Sequence, residues 1–253
     1  MQLRNIGQMQ PLDGLGNIVN TCAQMPVQPQ YAPVLERAKN WFQQHFADSL
    51  HSLYIRGSVA KGSAIEGCAD LDLVALWSGN ARPTNWQRLE EQFCEEMQRD
   101  FAFLNGVEVM ETHEAALQGL DYFQFVLKTQ CRFLCGKANT QATLPDFGLS
   151  GAAYMHSPFL AEDLAKAHKW TTESGDDAQD LQEIGAWIAK RSVRTGFELV
   201  MERVGAYTRD LYPCWKYFSQ FYPAQEADMQ RVLVFAIAPQ GEQTAILDLL
   251  AHI

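Results

Sequence analysis

The 253-residue chain predicts an α+β protein, in which a small mixed β-sheet flanked by helices is followed by an all-α helical bundle. Three observations carry that reading. The first half alternates apolar strand-like runs at 53–55, 70–77 and 105–110 with segments of helical period. A polar, turn-rich stretch at 138–151, with Pro145 and Gly148, interrupts the pattern. Beyond it the strand signals largely vanish and helical periodicities dominate.

Taken in order, residues 1–31 are rich in Gln and Asn with scattered Gly and Pro, and predict an irregular lead-in. Val34, Leu35, Ala38, Trp41, Phe42 and Phe46 recur at helical spacing, which predicts a helix over 32–46. The strand Leu53–Ile55 runs into Gly57-Ser58, a turn and a short helical stretch, and 70–77 forms the central strand. Thr84 with Gln87 makes a capping box, after which Trp86, Leu89, Phe93 and Met97 mark one helix face. A strand over 105–110 follows. Apolar residues at 122, 123, 126, 127, 131 and 134 then predict one helix that Gly136-Lys137 ends. Ser157-Pro158 reads as an N-cap and first helical residue, and helices are expected over 158–171, 178–205, 209–220, 224–237 and 240–252. The expected division is a catalytic domain over 1–140 and a helical bundle over 141–253.

Composition bounds the partners. An apolar content of 47% is enough for a proper core. No apolar run approaches the roughly 20 residues of a membrane span, and the first residues lack a signal-peptide stretch, so a cytoplasmic location is expected. The six scattered cysteines contain no Cys-x-x-Cys, and Cys131 and Cys135 would share a helical face as buried thiols. The net charge of −10, with no basic track, argues against a nucleic-acid substrate.

The chemistry concentrates in Arg56-Gly-Ser58 and Asp70-Leu-Asp72. On a strand, Asp70 and Asp72 share one face while Leu71, Leu73 and Ala75 take the other. Val74, Leu76 and Trp77 continue without charge, as in a strand buried on both faces. Two carboxylates so close on such a strand call for a cation between them, and hard oxygen donors point to Mg²⁺. Gly57 lets the backbone approach an anion, and the Ser58 hydroxyl and following N–H groups can hold phosphate oxygens. Phosphate with Mg²⁺ implies a nucleotide. Lys61 lies just beyond the turn, placed either to contact phosphate or to stay solvated.

A strand ending in Gly-Ser, followed after a gap by Asp-x-Asp on the next strand, resembles the signature of the polymerase-β-type nucleotidyltransferases. The resemblance covers roughly residues 50–112 and implies a third carboxylate from a later strand. Glu108, between Val107 and Val109, is the expected residue, with Glu111 competing. Catalytic and metal-holding roles thus fall to Asp70, Asp72 and Glu108, and nucleotide binding to Gly57, Ser58 and Lys61. Glu108 would complete the metal site or act as general base. The resemblance further implies transfer of a nucleoside monophosphate, most simply AMP from ATP, to a hydroxyl of a small-molecule acceptor with release of pyrophosphate. The layout is loosely that of the aminoglycoside adenylyltransferases.

Two arginines of the helical half extend the nucleotide-binding set. Arg191 and Arg194 either reach the triphosphate or form internal ion pairs with Glu198 or Glu183. The aromatic residues at 212–222 are expected to pack. The competing reading is a nucleotide-binding sensor, or an antitoxin-like protein that modifies or binds a protein partner.

Overall fold

A computed structural model describes residues 5–175 and 177–253. They form two compact units: residues up to Ile18 with 148–253, and residues 19–147. The lead-in segment, expected in the catalytic domain, therefore groups with the helices, and the division falls at 147/148 instead of 140/141.

The helical unit supplies the first element, β1 (Gln10–Pro11). The sheet unit then runs through α1 (Ala32–Phe46), β2 (Leu50–Ile55), the single turn α2 (Gly57–Ala60), β3 (Leu71–Trp77), α3 (Trp86–Asp100), β4 (Val107–His113), α4 (Glu114–Leu117), α5 (Asp121–Gln130) and β5 (Arg132–Gly136). Its four strands lie in the order β4-β3-β2-β5. β3 and β4 are parallel, and β2 is antiparallel to both β3 and β5, so the sheet is mixed.

Alternation along β3 sends Leu71, Leu73, Ala75 and Trp77 into a core shared with α1 and α3. Trp41, Phe42, Phe46, Trp77, Trp86 and Phe93 form its aromatic centre, with Trp77 and Trp86 centroids 4.8 Å apart in an edge arrangement. On the opposite face Val74 and Leu76 are also fully buried. Only Asp72 within the strand is half-exposed, and Asp70 immediately precedes it.

One expectation is corrected here. The predicted helix over 122–134 ends at Gln130, and Arg132–Gly136 pairs instead with β2, Leu53 opposite Cys135 and Ile55 opposite Arg132. Cys131 and Cys135 thus share no helical face, although both are buried and free. The apolar residues 131 and 134 satisfy the helical spacing, but the open edge of β2 offers that segment a hydrogen-bonding partner.

The helical unit continues with α6 (Leu160–Glu173), α7 (Ala178–Glu198), α8 (Met201–Val204), β6 (Ala206–Tyr207), α9 (Leu211–Phe221), α10 (Glu226–Ile237) and α11 (Gln243–Leu250). α7 is the hub, packing on α6, α9 and α10. The helix expected over 178–205 stops at Glu198 and resumes as α8. β1, inside the segment expected to be irregular, pairs antiparallel with β6, Gln10 opposite Tyr207. Gln8 and Asp210 reinforce that ribbon through a 2.8 Å bond from the Gln8 N–H to Asp210 Oδ2. Among the described residues no helix is long and apolar enough to cross a membrane.

Candidate active site

Arg56, the residue after β2, lies directly beside β3. The Arg56 N–H donates to the Asp72 carbonyl at 3.0 Å, and the chain then turns at Gly57 with φ +73°. A Cβ on Gly57 would lie 2.1 Å from Asp72 Oδ2. Glycine is therefore required twice, for the left-handed backbone and for the carboxylate lying against it. Gly57 opens the α2 turn with Ser58 next, and the Lys61 N–H closes it onto the Gly57 carbonyl at 3.2 Å. The leading N–H groups of such a turn have no partner within it.

The parallel register sets Asp72 opposite Glu108, and aligned residues of neighbouring strands share a face. Asp70, two residues before Asp72, points to the same side. Its Oδ1 accepts from Asn105 Nδ2 at 2.8 Å, and a Cβ on Gly106 would stand 3.0 Å from that oxygen. Gly106 thus leaves room for Asp70 where β4 begins. Glu111 is set opposite Ala75 and lies on the core side. There it accepts from Trp77 Nε1 at 2.8 Å and pairs with Arg82 at 3.4 Å. The structure therefore sets Asp72 opposite Glu108 and against Gly57, holds Asp70 through Asn105 just before β3, and turns Glu111 away.

Arg56 stands among these acids. Its Nη2 is 3.4 Å from Asp72 Oδ1 and 3.3 Å from Glu108 Oε2. Burial works to lower its pKa, but the pull of Asp72 and then Glu108 outweighs it and the net shift is upward. The sequence reading passed over this residue, as it did Asn105. A basic side chain immediately before a glycine that faces two acids was the available signal. Among the described residues no three His, Cys, Asp or Glu side chains are arranged to hold a metal ion.

Arg191 and Arg194 belong to the helical unit and have partners inside it. Arg191 Nη1 pairs with Asp163 Oδ2 at 3.1 Å and lies 3.2 Å from His156 Nδ1. Its guanidinium also sits 5.4 Å from the Trp187 ring centre. Arg194 donates through Nε to the Arg209 carbonyl at 3.1 Å, and burial, then Arg209, lowers its pKa to about 10. Among the described residues neither pairs with either anticipated internal partner, Glu183 or Glu198. The Glu198 carboxylate instead accepts the backbone N–H groups of Met155, His156 and Ser157, at 3.0, 3.0 and 2.7 Å. Burial raises the Glu198 pKa, against the pull of those three donors.

No protein-family model matches the chain, and no curated protein matches it in sequence. Among solved structures it is similar to spectinomycin adenyltransferase AAD(9) from Enterococcus faecialis with ATP and spectinomycin, at a TM-score of 0.51 and 13% identity. The match covers 87% of this chain and 98% of that one. The chain thus shares the fold of that structure, with a small mixed sheet, flanking helices and a helical carboxyl-terminal half.

Proposed function

We propose that the chain is a Mg²⁺-dependent nucleotidyltransferase that moves a nucleoside monophosphate, most simply AMP from ATP, to a hydroxyl of a small-molecule acceptor. Pyrophosphate would be the second product. The observation that supports this reading is the register that sets Asp72 opposite Glu108, with Asp72 against Gly57 at the start of α2. The structural neighbour's binding of ATP and spectinomycin supports the same substrate classes.

The residues suit Mg²⁺ in kind, because carboxylate oxygens are its preferred donors and Gly57 leaves Asp72 Oδ2 uncovered by any Cβ. Asp70 and Asp72 would hold it, and the ion would supply charge neutralisation on the nucleotide phosphates. The remaining work belongs to the chain. Gly57 and Ser58 offer backbone N–H groups and a hydroxyl to phosphate oxygens, with Lys61 one turn later. Asn105 fixes the Asp70 carboxylate by donating to Oδ1. Glu108, with 64% of its side chain exposed, is free to accept the proton of an acceptor hydroxyl at Oε1 or Oε2. Arg191 and Arg194 carry no part of this reading. None of the six cysteines is in a disulfide, which fits the expected reducing, cytoplasmic setting.

The test is incubation with labelled ATP, Mg²⁺ and a panel of hydroxyl acceptors, following label transfer and pyrophosphate together. Asp70→Asn and Asp72→Asn should abolish both. A second reading, nucleotide binding without transfer, is favoured by the Arg56 cation lying between Asp72 and Glu108. It gains if Mg·ATP raises the melting temperature while no acceptor is ever labelled.

A further inference from the structure

Arg56 contributes a fixed positive charge to a face built of acids. A guanidinium stays protonated at any working pH, so this cation cannot be titrated away. One nitrogen, Nη2, makes both contacts, at 3.4 Å to Asp72 and 3.3 Å to Glu108. That bridging place between two carboxylates is where a bound cation would draw them together. The contacts are long, since charge-assisted bonds ordinarily close to about 2.7–2.9 Å. Arg56 Nε is buried without a hydrogen-bond partner, so no bond at that nitrogen anchors the head group. Glu108 is 64% exposed while Arg56 is 13% exposed, so the carboxylate is the partner with room to swing.

We propose that Arg56 is a resident counter-cation of the carboxylate face, which holds Glu108 against Asp72 and must release it before a divalent cation is bound there. Arg56 is thus a positioning residue that sets how readily the site takes its metal. In the absence of nucleotide it keeps divalent affinity low. The negative phosphates of an arriving nucleotide give the guanidinium another partner, so metal and nucleotide are expected to enter together. The inference rests on the carboxylates being the divalent-cation site proposed above.

Mn²⁺ alone is the probe, titrated into the full chain without nucleotide and followed by calorimetry and by the electron paramagnetic resonance of free Mn²⁺. Removing a unit charge a few ångströms from the ion is worth at least about tenfold in affinity, even at the high effective dielectric near a protein surface. Arg56→Met should therefore bind Mn²⁺ at least about tenfold more tightly than the parent, and adding Asp72→Asn should erase the gain. Arg56→Lys keeps the buried charge, guarding against loss of fold, but its compact ammonium on a shorter side chain cannot reach both acids from the same place. Its affinity should fall between the other two. Equal Mn²⁺ affinity in the parent, Arg56→Lys and Arg56→Met overturns the role of Arg56 and leaves the metal site standing. No Mn²⁺ binding in any of the three overturns both.

Discussion

Gly57 and Asp72 are fitted to one another: the carboxylate Oδ2 lies 2.1 Å from where a Cβ on residue 57 would be. No side chain can be added at residue 57 without displacing Asp72, and Gly57 also holds φ at +73°. The turn and the central acid are therefore one device, although they come from different parts of the sequence.

Gly57→Ala should cost about 1–2 kcal/mol for the left-handed backbone, before any cost of moving the carboxylate. Urea unfolding measures the sum of the two, so a loss below about 1 kcal/mol would contradict it. The same variant should lose the thermal stabilisation given by Mg·ATP. A Gly57→Ala protein that keeps the parent's nucleotide-induced shift would remove the turn from the binding site.

Glu108 and Glu111 make opposite predictions from neighbouring positions. Glu111 accepts from Trp77 Nε1, a donor on a fully buried indole. Glu111→Ala leaves that donor unpaired and should destabilise the fold by about 1–3 kcal/mol, with Mg·ATP binding unchanged. Glu108→Gln, on an exposed side chain, should leave the urea midpoint within about 0.5 kcal/mol of the parent and lower label transfer by at least about a hundredfold. The reverse pattern would exchange their roles.

These pairings explain how much of the site could be read in advance. Asp70 and Asp72 were legible because period 2 on an otherwise apolar strand is a local signal. That Glu108 and Glu111 lie on opposite faces follows from the same alternation on β4. Arg56 was harder, because its meaning depends on acids from β3, which adjoins β2, and from β4, one strand further on. β5 was missed for a related reason: residues 131 and 134 suit a helix, and only pairing with β2 makes Arg132–Gly136 a strand. The Gln10–Tyr207 pairing joins residues far apart in sequence, and no window over 1–31 could reveal it.

Glu198 is legible only in three dimensions. It lies at the end of α7 and gathers the N–H groups of Met155, His156 and Ser157. Glu198→Ala would leave three donors without their acceptor in a buried turn, a cost of about 2–4 kcal/mol by denaturant unfolding. Glu198→Gln keeps an oxygen acceptor and should recover about half of that. Equal losses in the two variants would mean that the charge, not the hydrogen-bonding oxygen, organises the turn.

His156 makes the fold acid-sensitive. Its Nδ1 faces Arg191 Nη1 at 3.2 Å, so Nδ1 accepts and the proton resides on Nε2, which is buried without a hydrogen-bond partner. Burial first, then Arg209, Arg194 and Arg191, depress its pKa from 6.5 to about 2. The sign follows directly. Below the unfolded pKa of about 6.5 the unfolded chain takes up a proton that the folded chain refuses, so stability present above that pH is lost as pH falls toward the folded pKa of about 2. The loss is about 1.4 kcal/mol per pH unit, or about 2 kcal/mol between pH 6.5 and 5. His156→Gln cannot take up that proton. Urea unfolding at pH 6.5 and at pH 5 should therefore show the parent losing about 2 kcal/mol more than the variant, whatever the variant's stability at pH 7. Parallel losses in the two proteins would place the acid sensitivity elsewhere in the chain.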